Sequence, residues 1–176
     1  RVTYNVTDSS GNKADEVIRY VNVTPDAIAP VLSLNWKIVD TIHVYSAFIE
    51  QGFAALDTCS GLDTVKIAST LDTANVGIYT ITYTAFDKTG NSTMLSRIIH
   101  VIDTLSPVVT SASPDTVFVD VNNVLLPPVL NITDNYYTSF NTVIAGNYYT
   151  NFPNGEAKTL GNYSLRYIVK DGSGNA

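Results

Sequence analysis

Three aspartates stand in one recurring frame: Tyr, three residues, Asp, two residues, Gly, Asn. It reads YNVTDSSGN at 4–12, YTAFDKTGN at 83–91 and YIVKDGSGN at 167–175. A carboxylate in such a frame can transfer a proton, coordinate a hard cation or accept backbone N–H groups in a turn. Catalytic groups converge once, as unlike residues around one reacting atom, whereas this Asp is copied together with its neighbours. Those neighbours are turn formers, since Asp bonds its own backbone two residues on and Gly accepts the positive φ of a tight hairpin. The copying therefore predicts a structural corner. Asp8, Asp87 and Asp171 with Gly11, Gly90 and Gly174 set the turn, Asn91 caps it, and Tyr4, Tyr83 and Tyr167 pack or bond beside it.

Other reactive types are sparse. His43 and His100 are the only histidines and show no metal-protease spacing. No nucleophile elbow or Gly-rich phosphate cradle occurs, so no catalytic residue is assigned and the chain reads as a non-enzyme. Cys59 is the single cysteine, which excludes an intrachain disulfide; it is expected to be a partly buried, inert thiol. Asp26 and Asp103 fall at linkers that Asp8 or Asp87 could approach, oxygen chemistry that suits calcium. No Asp-x-Asp-x-Asp cluster accompanies them and turn chemistry accounts for single aspartates. No cofactor and no metal site is assigned, and an interdomain calcium stays open.

The elements that must hold these corners are strands. Thr, Val, Tyr, Ile and Asn dominate the 176 residues while Lys, Glu, Arg and Ala are scarce, a bias that suits half-buried pleated surfaces and predicts almost no helix. In GIYTITYTAFD, Tyr79, Ile81, Tyr83 and Ala85 share one face and Ile78, Thr80, Thr82 and Thr84 the other, the mark of a strand with one buried side. RIIHVID continues beyond the corner as the next strand. Asp8 and Asp87 are 79 residues apart, Asp87 and Asp171 84, and Pro30 and Pro107 77, so the repeat is one small β-domain. The expected domains are a terminal hairpin at 1–24, a complete domain at 25–103, and a domain at 104–176 that stops at its corner without a last strand. A lone hairpin is marginal in water, so the chain reads as a window in a longer array, or as one whose partial domains are completed by another chain. The sequence opens without a signal-peptide pattern, which places any export signal outside this stretch.

Residues 52–103, GFAALDTCSGLDTVKIASTLDTANVGIYTITYTAFDKTGNSTMLSRIIHVID, resemble the bacterial surface immunoglobulin-like repeats. That family's pattern is an Asp-rich loop, a Val-Gly-x-Tyr strand opening and Tyr-x-x-x-Asp-x-x-Gly-Asn. The third copy is similar at LGNYSLRYIVKDGSGNA and at Asp134-Asn135, and departs in its middle. The resemblance implies an all-β chain of tandem immunoglobulin-like sandwiches, the first and last incomplete, from a secreted or cell-surface bacterial protein. Its implied role is a stalk, adhesin or surface-filament segment, partnered by neighbouring Ig-like domains of the same or another chain and by surface glycans or cell-surface proteins. The alternative is a carbohydrate-binding or spacer module of an extracellular polysaccharide-degrading enzyme. An animal adhesion receptor is disfavoured by the unpaired cysteine.

Charge and hydropathy narrow the partners. A net charge of −6 with ten scattered basic residues leaves no stripe for a phosphate backbone, which excludes nucleic acid. No run of about 18 apolar residues is present, so no helix of this segment is expected to span a membrane. Asp-Thr-apolar occurs at Thr41, Thr64, Thr73, Thr104 and Thr116, against roughly one expected from composition. The triplet resembles the Bacteroidetes acceptor for O-linked glycans, and it is equally a good way to leave a turn and enter a strand. Five Asn-x-Ser/Thr sequons, at Asn5, Asn22, Asn91, Asn131 and Asn162, read as accidental in a bacterial chain. Finally, NYYTSF (135–140) and NYYTNF (147–152) are near copies. Adjacent tyrosines in strands face opposite ways, which makes Tyr136, Tyr137, Tyr148 and Tyr149 the candidate contact surface, with a two-stranded insertion packed on itself as the competing reading.

Overall fold

The computed structural model describes residues 1–145 and 148–176. Among the described residues the chain is all-β apart from one helical turn, α1 (Tyr148–Asn151), and a 3₁₀ turn at Pro153–Gly155. Asn147, which opens the second near copy, lies outside the described residues. Two compact units are formed, one from residues 1–36, 51–68 and 82–96, the other from residues 37–50, 69–81 and 97–176.

In the first unit β1 (Val2–Tyr4) pairs antiparallel with β2 (Val17–Arg19), and every residue of both is exposed. β3 (Val31–Leu34) pairs antiparallel with β5 (Phe53–Leu56). The unit also holds most of β6 (Leu62–Ser69) and the facing ends of the long strands β7 (Gly77–Asp87) and β8 (Ser92–Ile102). The alternation expected of β7 is present, with Ile81, Tyr83, Ala85 and Asp87 all buried and the intervening residues more exposed. Tyr83 is fully buried, its ring 5.5 Å from that of Phe53. Tyr4 differs from expectation: the strand that carries it buries neither face, and the side chain is 52% exposed.

In the second unit β4 (Val39–His43) runs parallel to the end of β8, from Val39 opposite Ile98 to His43 opposite Ile102. The sheet order is β4-β8-β7-β6. Ile99 and Val101 are buried, and so is Arg97 at 1% exposure; its guanidinium donates to the carbonyl of Lys37 and pairs with Glu50 at 3.2 Å. β9 (Val108–Ser111) pairs antiparallel with β10 (Leu130–Thr133), and β11 (Asn141–Ala145) with β12 (Arg166–Lys170). β9 and β10 repeat β3 and β5 at an offset of 77 residues at both ends. Residues 116–120, which stand at the same offset from β4, form no strand. A second small core joins Leu125, Phe152 and Ala157, with Tyr148 packed against it.

Candidate functional site

Each corner is built around its carboxylate. Asp87 accepts from the backbone and hydroxyl of Thr89 at 2.9 and 3.0 Å, and from the backbone and side chain of Asn91 at 2.8 and 2.7 Å. Asp8 accepts from Ser10 N–H and from both donors of Asn12, and Asp171 from both donors of Asn175. Gly11, Gly90 and Gly174 have φ of +87°, +94° and +92°, which a side chain would disfavour. The asparagine does more than cap: Asn91 Nδ2 also donates to the carbonyl of Asp26, and Asn175 Nδ2 to that of Asp103. Each of these corners is thereby tied to an aspartate about sixty to seventy residues earlier in the chain.

The acidity follows the bonding. For Asp8 the side-chain bond from Asn12 holds the carboxyl below its ordinary value. For Asp87 and Asp171 burial alone would raise it, but the bonds from Asn91 with Thr89, and from Asn175, prevail and the net shift is downward. All three corners therefore favour the ionised carboxylate.

Two groups of three aspartates result, one inside each unit. Asp26, Asp57 and Asp87 bring one carboxylate oxygen apiece within 4.8 Å of one another, and so do Asp103, Asp134 and Asp171. Five of the six end or directly follow a strand: Asp57 follows β5, Asp87 ends β7, Asp103 follows β8, Asp134 follows β10 and Asp171 follows β12. Strand ends that converge thus deliver carboxylates from distant parts of the chain to one point. Of the two hairpin aspartates that could approach a linker aspartate, Asp87 lies with Asp26, and Asp8 joins neither group among the described residues. Sequence reasoning missed Asp57 and Asp134 as third members. The signal was available in the 77 residues that separate Asp26 from Asp103 and likewise Asp57 from Asp134. Such oxygen clusters can hold a hard cation or can be satisfied by local donors.

The groups differ in what surrounds them. In the first, Asp26 accepts from Ile28 and Ser60 N–H, and Asp57 from Cys59 and Gly61 N–H. The amine of Lys88 lies beside Gly61. In the second, Asp103 Oδ1 takes Leu105 N–H and Asp134 Oδ1 takes Tyr136 and Tyr137 N–H. Asp103 Oδ2 and Asp134 Oδ2 are buried without a hydrogen-bond partner. Gly172 occupies the place of Lys88, and a Cβ there would lie 2.4 Å from the Tyr137 ring. An open recess lined by His43, Val44, Thr104, Leu105 and Asn135 reaches Asp103.

The four tyrosines adopt neither of the strands their sequence suggests. Tyr136 and Tyr137 lie in a bend after β10, held by Asp134, and Tyr148 and Tyr149 lie in α1. Tyr136 stacks edgewise on Tyr137 at 4.8 Å, lies 6.2 Å from Tyr45 and accepts Val76 N–H; Tyr137 Oη bonds Ser173 Oγ. Tyr148 stacks on Phe152, and Tyr149 alone is broadly exposed, at 75%. Of the threonines, Thr41, Thr104 and Thr116 are exposed and Thr64 and Thr73 half-buried. Thr104 Oγ1 sits 3.1 Å from His43 Nδ1. Cys59 corrects the expectation of partial burial, since its turn holds it exposed. A bond to Asp26 raises its pKa, which keeps the thiol protonated and unreactive.

A recurrent corner, converging strand ends and β4 laid parallel to β8 describe an Ig-like domain. Residues 37–101 match the family described as bacterial surface protein, Ig-like domain. Over 104 residues the chain is 31% identical to an 81.3 kDa protein of Acholeplasma phage L2, a match that covers 57% of this chain and 13% of the phage protein. Among solved structures, the lipoprotein BT2262 of Bacteroides thetaiotaomicron aligns with 47% of this chain and 46% of its own, at 20% identity and a TM-score of 0.39. A structure of the CBM51-2 domain with GlcNAc and the INT domains of Clostridium perfringens ZmpB aligns with 81% of this chain and 41% of its own, at 16% identity and a TM-score of 0.34. The chain spans less than half the length of each of these relatives. No helix among the described residues is long and apolar enough to cross a membrane.

Proposed function

We propose that this chain is a non-catalytic structural segment of a bacterial cell-surface or secreted protein, a stalk, adhesin or filament portion assembled from Ig-like copies. The observation that carries the reading is the match of residues 37–101 to a bacterial surface Ig-like domain. The identical spacing of β3 and β5 to β9 and β10 supports copies at 25–103 and 104–176, with a hairpin of a further copy at 1–24. Its partners are neighbouring Ig-like domains and surface molecules, and Thr41, Thr104 and Thr116 are the exposed acceptors for O-linked sugar. Protease treatment of intact producing cells is the test: release of peptides from this chain before lysis is expected, and release only after lysis would overturn the surface assignment. Intact mass of the natively produced chain decides the glycan question, where a mass equal to the bare polypeptide ends it.

A further inference from the structure

We propose that Asp103, Asp134 and Asp171 form a calcium site. Three oxygens lie within 4.8 Å of one another, so an ion set among them is at most about 2.8 Å from each, close to the roughly 2.3–2.6 Å of calcium–oxygen bonds. The decisive observation concerns partners. Asp103 is 5% exposed, and its Oδ2 and that of Asp134 have no donor, although nearly all buried polar atoms in folded proteins find one. None of the three ion pairs among the described residues involves these carboxylates. Two orphaned acceptors beside a third carboxylate call for a positive ligand rather than a further N–H. An all-oxygen set with two of its members carboxylates fixed by backbone turns suits a hard cation, and carbonyl or water oxygens reached through the recess beside Asp103 complete the shell. Magnesium, smaller and reluctant to shed water, fits this spread less well.

The ion would join the ends of β8, β10 and β12, three segments distant in sequence. It goes beyond the surface role, and its test does not depend on where the protein resides. The chelator-stripped full chain is titrated with calcium by calorimetry and melted in parallel. One equivalent bound at this site and a midpoint raised by about 5 °C or more at saturating calcium are expected. Asp134→Asn keeps an oxygen for Tyr136 and Tyr137 N–H and should weaken binding at least tenfold, while Asp57→Asn should leave it unchanged. Terbium offers a second readout, with luminescence excited through Tyr136 and Tyr137 that calcium displaces. No heat and an unchanged midpoint in the parent chain would overturn the proposal, whatever the variants do. So would loss of binding in Asp57→Asn with retention in Asp134→Asn, or equal affinity for magnesium.

Discussion

The corner at Asp87 and the corner at Asp171 share a backbone, an Asn cap and a triad of aspartates, yet they solve the same electrostatic problem differently. The first surrounds its carboxylates with N–H donors from Ser60, Cys59 and Gly61 and carries Lys88, whose amine lies beside Gly61. The second spends the equivalent loop on Tyr136 and Tyr137, places Gly172 where the lysine stood, and leaves two oxygens bare. A copied scaffold therefore fixes where the charges meet, and the loop chemistry decides what balances them.

The aromatic under each corner should separate the two most. Tyr83→Ala, which removes a fully buried ring, is expected to cost about 4 kcal/mol in chemical denaturation. Tyr167→Phe should be neutral or stabilising by up to about 1 kcal/mol, because its buried hydroxyl has no partner to lose; a clear loss would mean that the second corner is satisfied in a way the geometry does not show. Next comes Arg97→Ala, expected to cost about 3 kcal/mol because Glu50 and the Lys37 carbonyl lose their buried cation. An effect near zero would separate the β4–β8 pairing from this ion pair.

Gly172→Lys, which writes the first corner into the second, should cost about 1–2 kcal/mol by driving a side chain into Tyr137. It should also weaken calcium binding, and unchanged thermal stability would break the comparison at its steric point. The smallest difference is in pH. Asp8, Asp87 and Asp171 are all held below the ordinary 3.8, so the folded state binds fewer protons than the unfolded one as pH falls toward that value. Their stabilisation is complete above the unfolded value and is lost as pH falls through the lowered folded values. Melting midpoints should thus be flat near neutrality and decline from about pH 4 downward; a midpoint that rises on acidification would reverse the assignment.

The sequence made the corners and β7 legible because both signals are local. Turn chemistry is written within five residues at Asp87–Asn91, and a period of two places Ile81, Tyr83 and Ala85 on one face. The parallel pairing of β4 with β8 left no such trace, since nothing in Val39–His43 names a partner some sixty residues away. Asp57 and Asp134 escaped for the same reason, as they become ligand-like only where strand ends converge. The doubled tyrosines misled because β-propensity yields to context: Asp134 turns Tyr136 and Tyr137 into a bend, and Phe152 gives Tyr148 a stacking partner from within one helical turn.

The register of β4 on β8 also bears on tension. If the ends of the Ig-like stretch matched at 37–101 are drawn apart, β4, near its start, and β8, at its finish, slide along one another in opposite senses. Five residue pairs, Val39 with Ile98 through His43 with Ile102, then resist together as a shear joint, whereas a hairpin opens one pair at a time like a zip.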